Sequence, residues 1–162
     1  CSSDLEPQEV NAPAEETPVE ETAAEPTYMV SETLTRPVPG EVMTEFSDTP
    51  VYSETMRDYR VHAGTDYTAA HGETVHACAN GIVKETHTDM LRGNMIVIEH
   101  GDYEVRYCGL GETFLVHEGD VVTAGQDIGS VTAAPFESAL DSHLHIEVTR
   151  NGEPVDPESV FG

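Results

Sequence analysis

Basic residues are scarce in this chain, with seven Lys and Arg against 31 Asp and Glu in 162 residues and a formal charge of -24. Phosphate backbones and anionic lipid surfaces would repel such a chain, which excludes nucleic acid as a natural partner. Surface carboxylates in this excess serve solubility first. Long apolar runs are also missing: none approaches the ~18 residues of a membrane span, and no intact signal peptide is present. Membrane attachment is therefore expected only through an N-terminal anchor, lost or lipidated. The first residue is Cys1 rather than Met, which fits both an acylated mature lipoprotein and a fragment without its first segment. Cysteine is rare, at three residues. Cys78 and Cys108 could pair in an oxidising compartment, but isolated cysteines among strands are more often buried free thiols. No long amphipathic helix is visible, and "SETMRDY" at 53–59 is the only modest candidate.

What is present divides in two. From Cys1 to Thr27 there are eight acidic residues, no basic ones and four prolines, a composition that cannot bury enough apolar surface to offset its ordering entropy. Residues 1–36 are read as a disordered acidic linker, with 28–36 transitional. From Pro37 to Gly162 the texture becomes "GEVMTEF", "TVHACANGIVKETH", "NMIVIEHGDYEVRYCGL", "GDVVTAGQDIGSV" and "HLHIEVTRNG". Strand-sized runs joined by Gly and Asn turns predict one mainly β domain of antiparallel strands. "ANG" at 79–81, "HGD" at 100–102 and "RNG" at 150–152 are the expected sites of positive φ.

In "DSHLHIEVT" the period of a strand puts His143 and His145 on one face and Leu144 and Ile146 on the other, facing the core. A second cluster, "RVHAGTDY", spaces His62 and Asp66 by four, and Gly64 with its β-branched neighbours favours a tight turn entering a strand over a helix. Each cluster alone could be bland: two half-exposed strand histidines, and a loop Asp beside an exposed His. Together, two imidazoles and a carboxylate suit zinc, and three protein ligands leave a fourth tetrahedral position for water.

"HAGTD" and "HLHIEV" resemble the HxxxD and HxH motifs of the lysostaphin/LytM-type zinc metallopeptidases, which cut peptide bonds of peptidoglycan. "GETVHACANGIV", "GNMIVIEHG" and "VHEGDVVTAGQDIGSV" are similar to further segments of that family, so the resemblance covers roughly 37–162. It implies a LytM-like β domain whose strands form a groove, one zinc ion held by His62, Asp66 and His145, and His143 as the group that orients or deprotonates the attacking water. It also implies peptidoglycan peptides as substrate and an extracytoplasmic, envelope-associated location in a Gram-positive-type bacterium. Thr65, Tyr67 and Glu147 are read as strand and surface residues without chemistry, and His71, His76, His87, His100 and His117 as surface or turn residues.

The family carries one more catalytic histidine in a "Y-x-H-L" phrase. This chain has "YCGL", with Gly109 at that position. A positioned acid or base is worth about 10²–10⁴ in rate, so the expectation is a slow enzyme or none, with Gly109→His the change that would restore the pattern. Strand alternation places Tyr107 on the cleft face, where its hydroxyl could serve an oxyanion, and turns Cys108 away as a core thiol. The long entry "RPVPGEVMTEFSDTPVYSETMRDYRVHAGTDY" also resembles the SpoIIQ-like branch of the family. That likeness implies the alternative of a catalytically inactive zinc-binding module that engages cell wall or a partner protein during sporulation.

Overall fold

The computed structural model describes residues 27–161; nearly all of the acidic spacer expected at 1–27 lies outside them. Twelve short strands follow one another: β1 (Val42–Thr44), β2 (Ser47–Ser53), β3 (Asp58–His62), β4 (Thr65–Thr68), β5 (Thr74–His76), β6 (Gly81–Asp89), β7 (Gly93–His100), β8 (Tyr103–Leu110), β9 (Val121–Val122), β10 (Asp127–Ser130), β11 (His143–Arg150) and β12 (Glu153–Val155). Two single-turn 3₁₀ helices, Pro135–Glu137 and Pro157–Ser159, are the only helical pieces among the described residues.

The principal sheet has the order β1-β4-β11-β8-β7-β6-β9, with β12 added to β11, and all of its pairings are antiparallel. Two small ribbons, β2–β3 and β5–β10, complete the fold. One face of the sheet buries Ile96, Ile98, Val105, Tyr107, Leu144, Ile146 and Val148 in the main core, and the other carries a smaller cluster of Met95, Val97 and Cys108. The expected alternation of β11 holds, because Leu144 and Ile146 are fully buried in the main core. A slip of one residue would exchange them for histidines, so the apolar pair fixes the register that presents His143 and His145 on the opposite face.

Two turns have the expected backbone. Gly101 has φ 69° in the β7–β8 hairpin, and Asn151 and Gly152 have φ 54° and 83° between β11 and β12. The third differs: Gly81 is in β6 without positive φ and is required by close approach, since a Cβ there would lie 2.2 Å from Glu99 O. "SETMRDY" is no helix but the end of β2, a turn with Arg57 at φ 59°, and the start of β3. Strand pairing of the flanks, Ser53 with Asp58 and Tyr52 with Tyr59, overrides its weak helical pattern.

The stretch 28–36 packs on the domain. Leu34 is 4% exposed within the core, Thr35 N donates to Cys78 O, and the Tyr28 hydroxyl donates to Glu99 while accepting from Gly101 N. Cys78 and Cys108 are both free and buried, Cys78 in the main core and Cys108 in the cluster on the opposite face. Burial pushes both thiols up to about 12.

Candidate metal centre

Three strands meet at the site. The pairing of β11 with β4 sets His145 directly opposite Asp66, and the β3–β4 turn returns His62 to the same point. Gly64 makes that return possible: a Cβ there would lie 2.2 Å from Ile146 O and 3.0 Å from His145 Nε2. The glycine of "HAGTD" is thus demanded by backbone approach to β11 rather than by a positive φ.

His62, Asp66, His143 and His145 are 7%, 0%, 3% and 1% exposed, so the sheet buries four polar side chains together. His145 Nδ1 lies 2.7 Å from Asp66 Oδ1, and His62 Nε2 lies 3.3 Å from Asp66 Oδ2. Each imidazole uses its other nitrogen on an outer partner. His62 Nδ1 donates to Glu45 O at 2.9 Å, His145 Nε2 donates to Glu147 at 3.0 Å, and His143 Nδ1 donates to Asp141 O at 2.7 Å. These bonds fix the rings so that His62 Nε2, His143 Nε2 and His145 Nδ1 converge, the arrangement by which ligating histidines are oriented.

Glu147, expected to be a surface residue, is 6% exposed and takes part in this support. It accepts from Arg92 Nε at 2.8 Å, and Asp89 Oδ1 in turn accepts from the backbone N–H groups of Leu91 and Arg92. Burial alone would raise the Glu147 carboxyl, but the hydrogen bond from His145 and the Arg92 guanidinium hold it below the usual range. Its position two residues beyond His145 on one strand face was the sequence signal that could have revealed it.

Glu137, in the first 3₁₀ helix, also reaches the centre. Its carboxylate lies 2.7 Å from His62 Nε2, 3.0 Å from His145 Nδ1 and 3.2 Å from His143 Nε2. Nothing in the sequence pattern pointed to it. Burial pushes the His62 imidazole down, yet the adjacent Asp66 carboxylate and the hydrogen bond to Glu137 hold it at about 9.

The donors suit a metal ion. One ligand atom from each of His62, Asp66, Glu137 and His145 lies within 4.8 Å of all the others. Asp66 Oδ2 is buried among them and makes no hydrogen bond, the condition of a carboxylate oxygen reserved for a cation.

Three expectations are corrected here. Tyr107 does not face the cleft: it is 0% exposed in the main core, where its hydroxyl accepts from Cys78 N at 3.0 Å and pairs with His100 Nε2 at 2.8 Å. Cys108 instead stands on the cleft side, opposite His145, with its thiol directed at Met95 Sδ. The reason is a bulge. Met95 pairs with Cys108 and Asn94 with Leu110, so Gly109 is skipped and cannot define the faces of its neighbours. His100, expected at the surface, is 2% exposed, and burial pushes its imidazole down to about 4. Replacing Tyr107 by phenylalanine is therefore expected to leave metal binding unchanged. It should lower stability by about 1–3 kcal/mol, because Cys78 N–H loses its acceptor; a denaturation midpoint and a metal titration on the same variant check both parts.

Gly109 itself has φ 75°, and a Cβ there would lie 2.8 Å from Ala134 N and 3.1 Å from Ala133 C. Backbone of the segment leading to Glu137 fills the space beside this position, and Thr132 N donates to Gly109 O at 2.7 Å. The simple restoration Gly109→His would have to displace this backbone.

Comparison with known proteins agrees with this geometry. The profile of peptidase family M23 matches residues 60–157. The peptidoglycan DD-endopeptidase ShyA of Vibrio cholerae is 35% identical over 96 residues, which make up 59% of this chain and 22% of that protein. The DD-carboxypeptidase/endopeptidase Mpg of Neisseria meningitidis is 35% identical over 106 residues, 65% of this chain and 24% of that protein. The chain thus spans about a quarter or less of the length of these relatives. Among solved structures, a zinc-containing peptidase from Vibrio cholerae has a TM-score of 0.65 at 27% identity, covering 78% of this chain and 38% of that one. The SpoIIQ–SpoIIIAH pore-forming complex has a TM-score of 0.69 at 22% identity over 80% of this chain and 91% of that one, a likeness of fold. With the strands, the convergent His–Asp–His donors and the match over 60–157 in agreement, this chain belongs to peptidase family M23.

Proposed function

We propose that this domain is a zinc metalloendopeptidase-like module of the cell envelope, acting outside the cytoplasm on peptide bonds of peptidoglycan at a reduced rate. The observation that carries this reading is the convergence of His62 Nε2, Asp66 and His145 Nδ1 around an unpartnered Asp66 oxygen. Bound zinc would polarise a peptide carbonyl and lower the pKa of a water at that point. His143 is the proton handler: with Nδ1 held by Asp141 O, its Nε2 faces the donors, 3.8 Å from Asp66 Oδ1. Glu147 and Arg92 keep the His145 ring in place. Neither Gly109 nor the buried Tyr107 supplies a second acid or base, so turnover is expected to be lowered by about 10²–10⁴. The relatives ShyA and Mpg support peptidoglycan as the substrate class.

A second reading, an inactive zinc-binding module that engages cell wall or a partner protein, is favoured by the narrow cleft. The cavity bounded by Arg60, Val61, Ala63, Leu91, Arg92, Phe136, His145 and Glu147 measures about 210 Å³, below the ~300–1,000 Å³ usual for ligand sites. The fold likeness to SpoIIQ in its complex with SpoIIIAH agrees with it.

Digestion of purified peptidoglycan by the zinc-loaded protein, read by mass spectrometry, separates the two. Slow release of new fragments that His62→Ala does not produce is the expected result. No fragments after long incubation would leave the binding module as the function.

A further inference from the structure

We propose that Glu137 is a fourth protein ligand of the metal, occupying the position that a catalytic centre leaves open to water and substrate. The inference rests on the reading of His62, Asp66 and His145 as ligands and adds to it a residue outside the family motifs.

The geometry is that of a closed set. A tetrahedron with metal–ligand bonds of about 2.0–2.1 Å has edges of about 3.3 Å. Four of the distances among the donors are 3.3 Å from His62 Nε2 to Asp66 Oδ2, 2.7 Å from His62 Nε2 to Glu137 Oε2, 2.7 Å from His145 Nδ1 to Asp66 Oδ1 and 3.0 Å from His145 Nδ1 to Glu137 Oε1. One ligand atom from each of the four residues lies within 4.8 Å of the others, close enough for a metal ion to draw them into that figure. Each carboxylate bridges the same two imidazoles, one oxygen to each, so Glu137 stands to the histidines as Asp66 does. Two carboxylates and neutral imidazoles would balance a divalent cation in a pocket where all four residues are buried.

The segment that carries Glu137 is fastened. Thr132 N donates to Gly109 O at 2.7 Å, Phe136 N to Leu91 O at 2.9 Å, and Ala139 N to Thr55 Oγ1 at 3.0 Å. Phe136 sets its ring edge-on to His145 with centroids 5.0 Å apart, at the wall of the narrow cavity. Ala134 rests where a side chain at position 109 would begin. The absence of a side chain at Gly109 and the seating of Glu137 are therefore one structural feature: the missing Cβ makes room for the backbone that delivers the fourth carboxylate. Turnover then requires this segment to withdraw, and a partner or wall peptide that draws it aside would open the centre.

Cobalt(II) substitution of the full chain tests this by coordination rather than by hydrolysis. The wild-type protein is expected to give the intense visible absorption of four-coordinate cobalt, unchanged by added acetohydroxamate. Glu137→Ala should bind cobalt about tenfold or more weakly, at least the loss that removing an outer partner causes, and its spectrum should shift when acetohydroxamate is added. Glu137→Gln, of the same shape, guards against a folding defect and should fall between the two. A wild-type spectrum that responds to acetohydroxamate as the variants do, with equal cobalt affinity in all three, would overturn the role of Glu137 while leaving the His62, Asp66 and His145 centre intact. Failure of the wild-type protein to take up cobalt would instead remove that centre, and Glu137 with it.

Discussion

Gly109→His is expected to destabilise the domain and to bring no gain in hydrolysis, although it restores the residue found in the family pattern. Gly109 has φ 75°, which costs a side-chain-bearing residue about 1–2 kcal/mol. Its Cβ would also enter within 2.8 Å of Ala134 N, a backbone atom held by its neighbours, and forced overpacking of this kind costs about 1–3 kcal/mol. Together these give a loss of about 2–5 kcal/mol, or roughly 6–15 °C in Tm for a domain of this size. Gly109→Ala shares both costs and should lose a similar amount, which separates backbone strain from any property of imidazole. Calorimetry of the two variants beside the wild type is the check. A Gly109→His protein as stable as wild type, with a large gain in peptidoglycan cleavage, would mean that the 133–134 backbone yields and that the cleft lacked one group only.

Asp66→Asn should abolish tight zinc binding with the fold retained. Asp66 is fully buried between His62 and His145, and asparagine keeps its shape while removing the charge that balances a cation. Loss of an outer-shell partner costs about 10–100-fold in metal affinity, so loss of a direct ligand should exceed the upper end of that range. At free zinc about a thousand times the wild-type Kd, zinc should stabilise the wild type by about 4 kcal/mol. Asp66→Asn at the same concentration should show almost none of this. Isothermal titration with zinc, with unfolding curves before and after loading, reads both effects.

Much of this arrangement was legible in short sequence patterns because it depends on strand period. The alternation of His143, Leu144, His145 and Ile146 dictates two faces, and the buried apolar pair makes the assignment unambiguous. The convergence of His62 with Asp66 and His145 came from motif resemblance, since the register of β4 against β11 is a tertiary property. Tyr107 and Cys108 lie on the faces opposite to those that simple alternation predicts, because the strand bulges at Gly109. A bulge there, with φ 75°, ends the simple count. Glu147 was within reach of the same period, being two residues past His145, but its type suggested solvent. Glu137 was beyond reach. It sits in "TAAPFESAL", an irregular segment whose single 3₁₀ turn has no hydrophobic period, and only the fastening at Gly109, Leu91 and Thr55 brings its carboxylate to the histidines.

His100 shows the same boundary from the structural side. An imidazole in a hairpin phrase reads as exposed, yet its Nδ1 donates to Asn80 O and its Nε2 meets the Tyr107 hydroxyl inside the fold. Both partners are distant from the hairpin turn in sequence or face the core, so only packing identifies them.

The most direct test of the central claim is the zinc content of the purified protein after loading and exhaustive dialysis, measured together with its unfolding temperature. Retained zinc with a raised unfolding temperature, both lost in Asp66→Asn, is the result that a centre built on His62, Asp66 and His145 requires. A wild-type protein that stays zinc-free in excess zinc and unfolds at an unchanged temperature would contradict it.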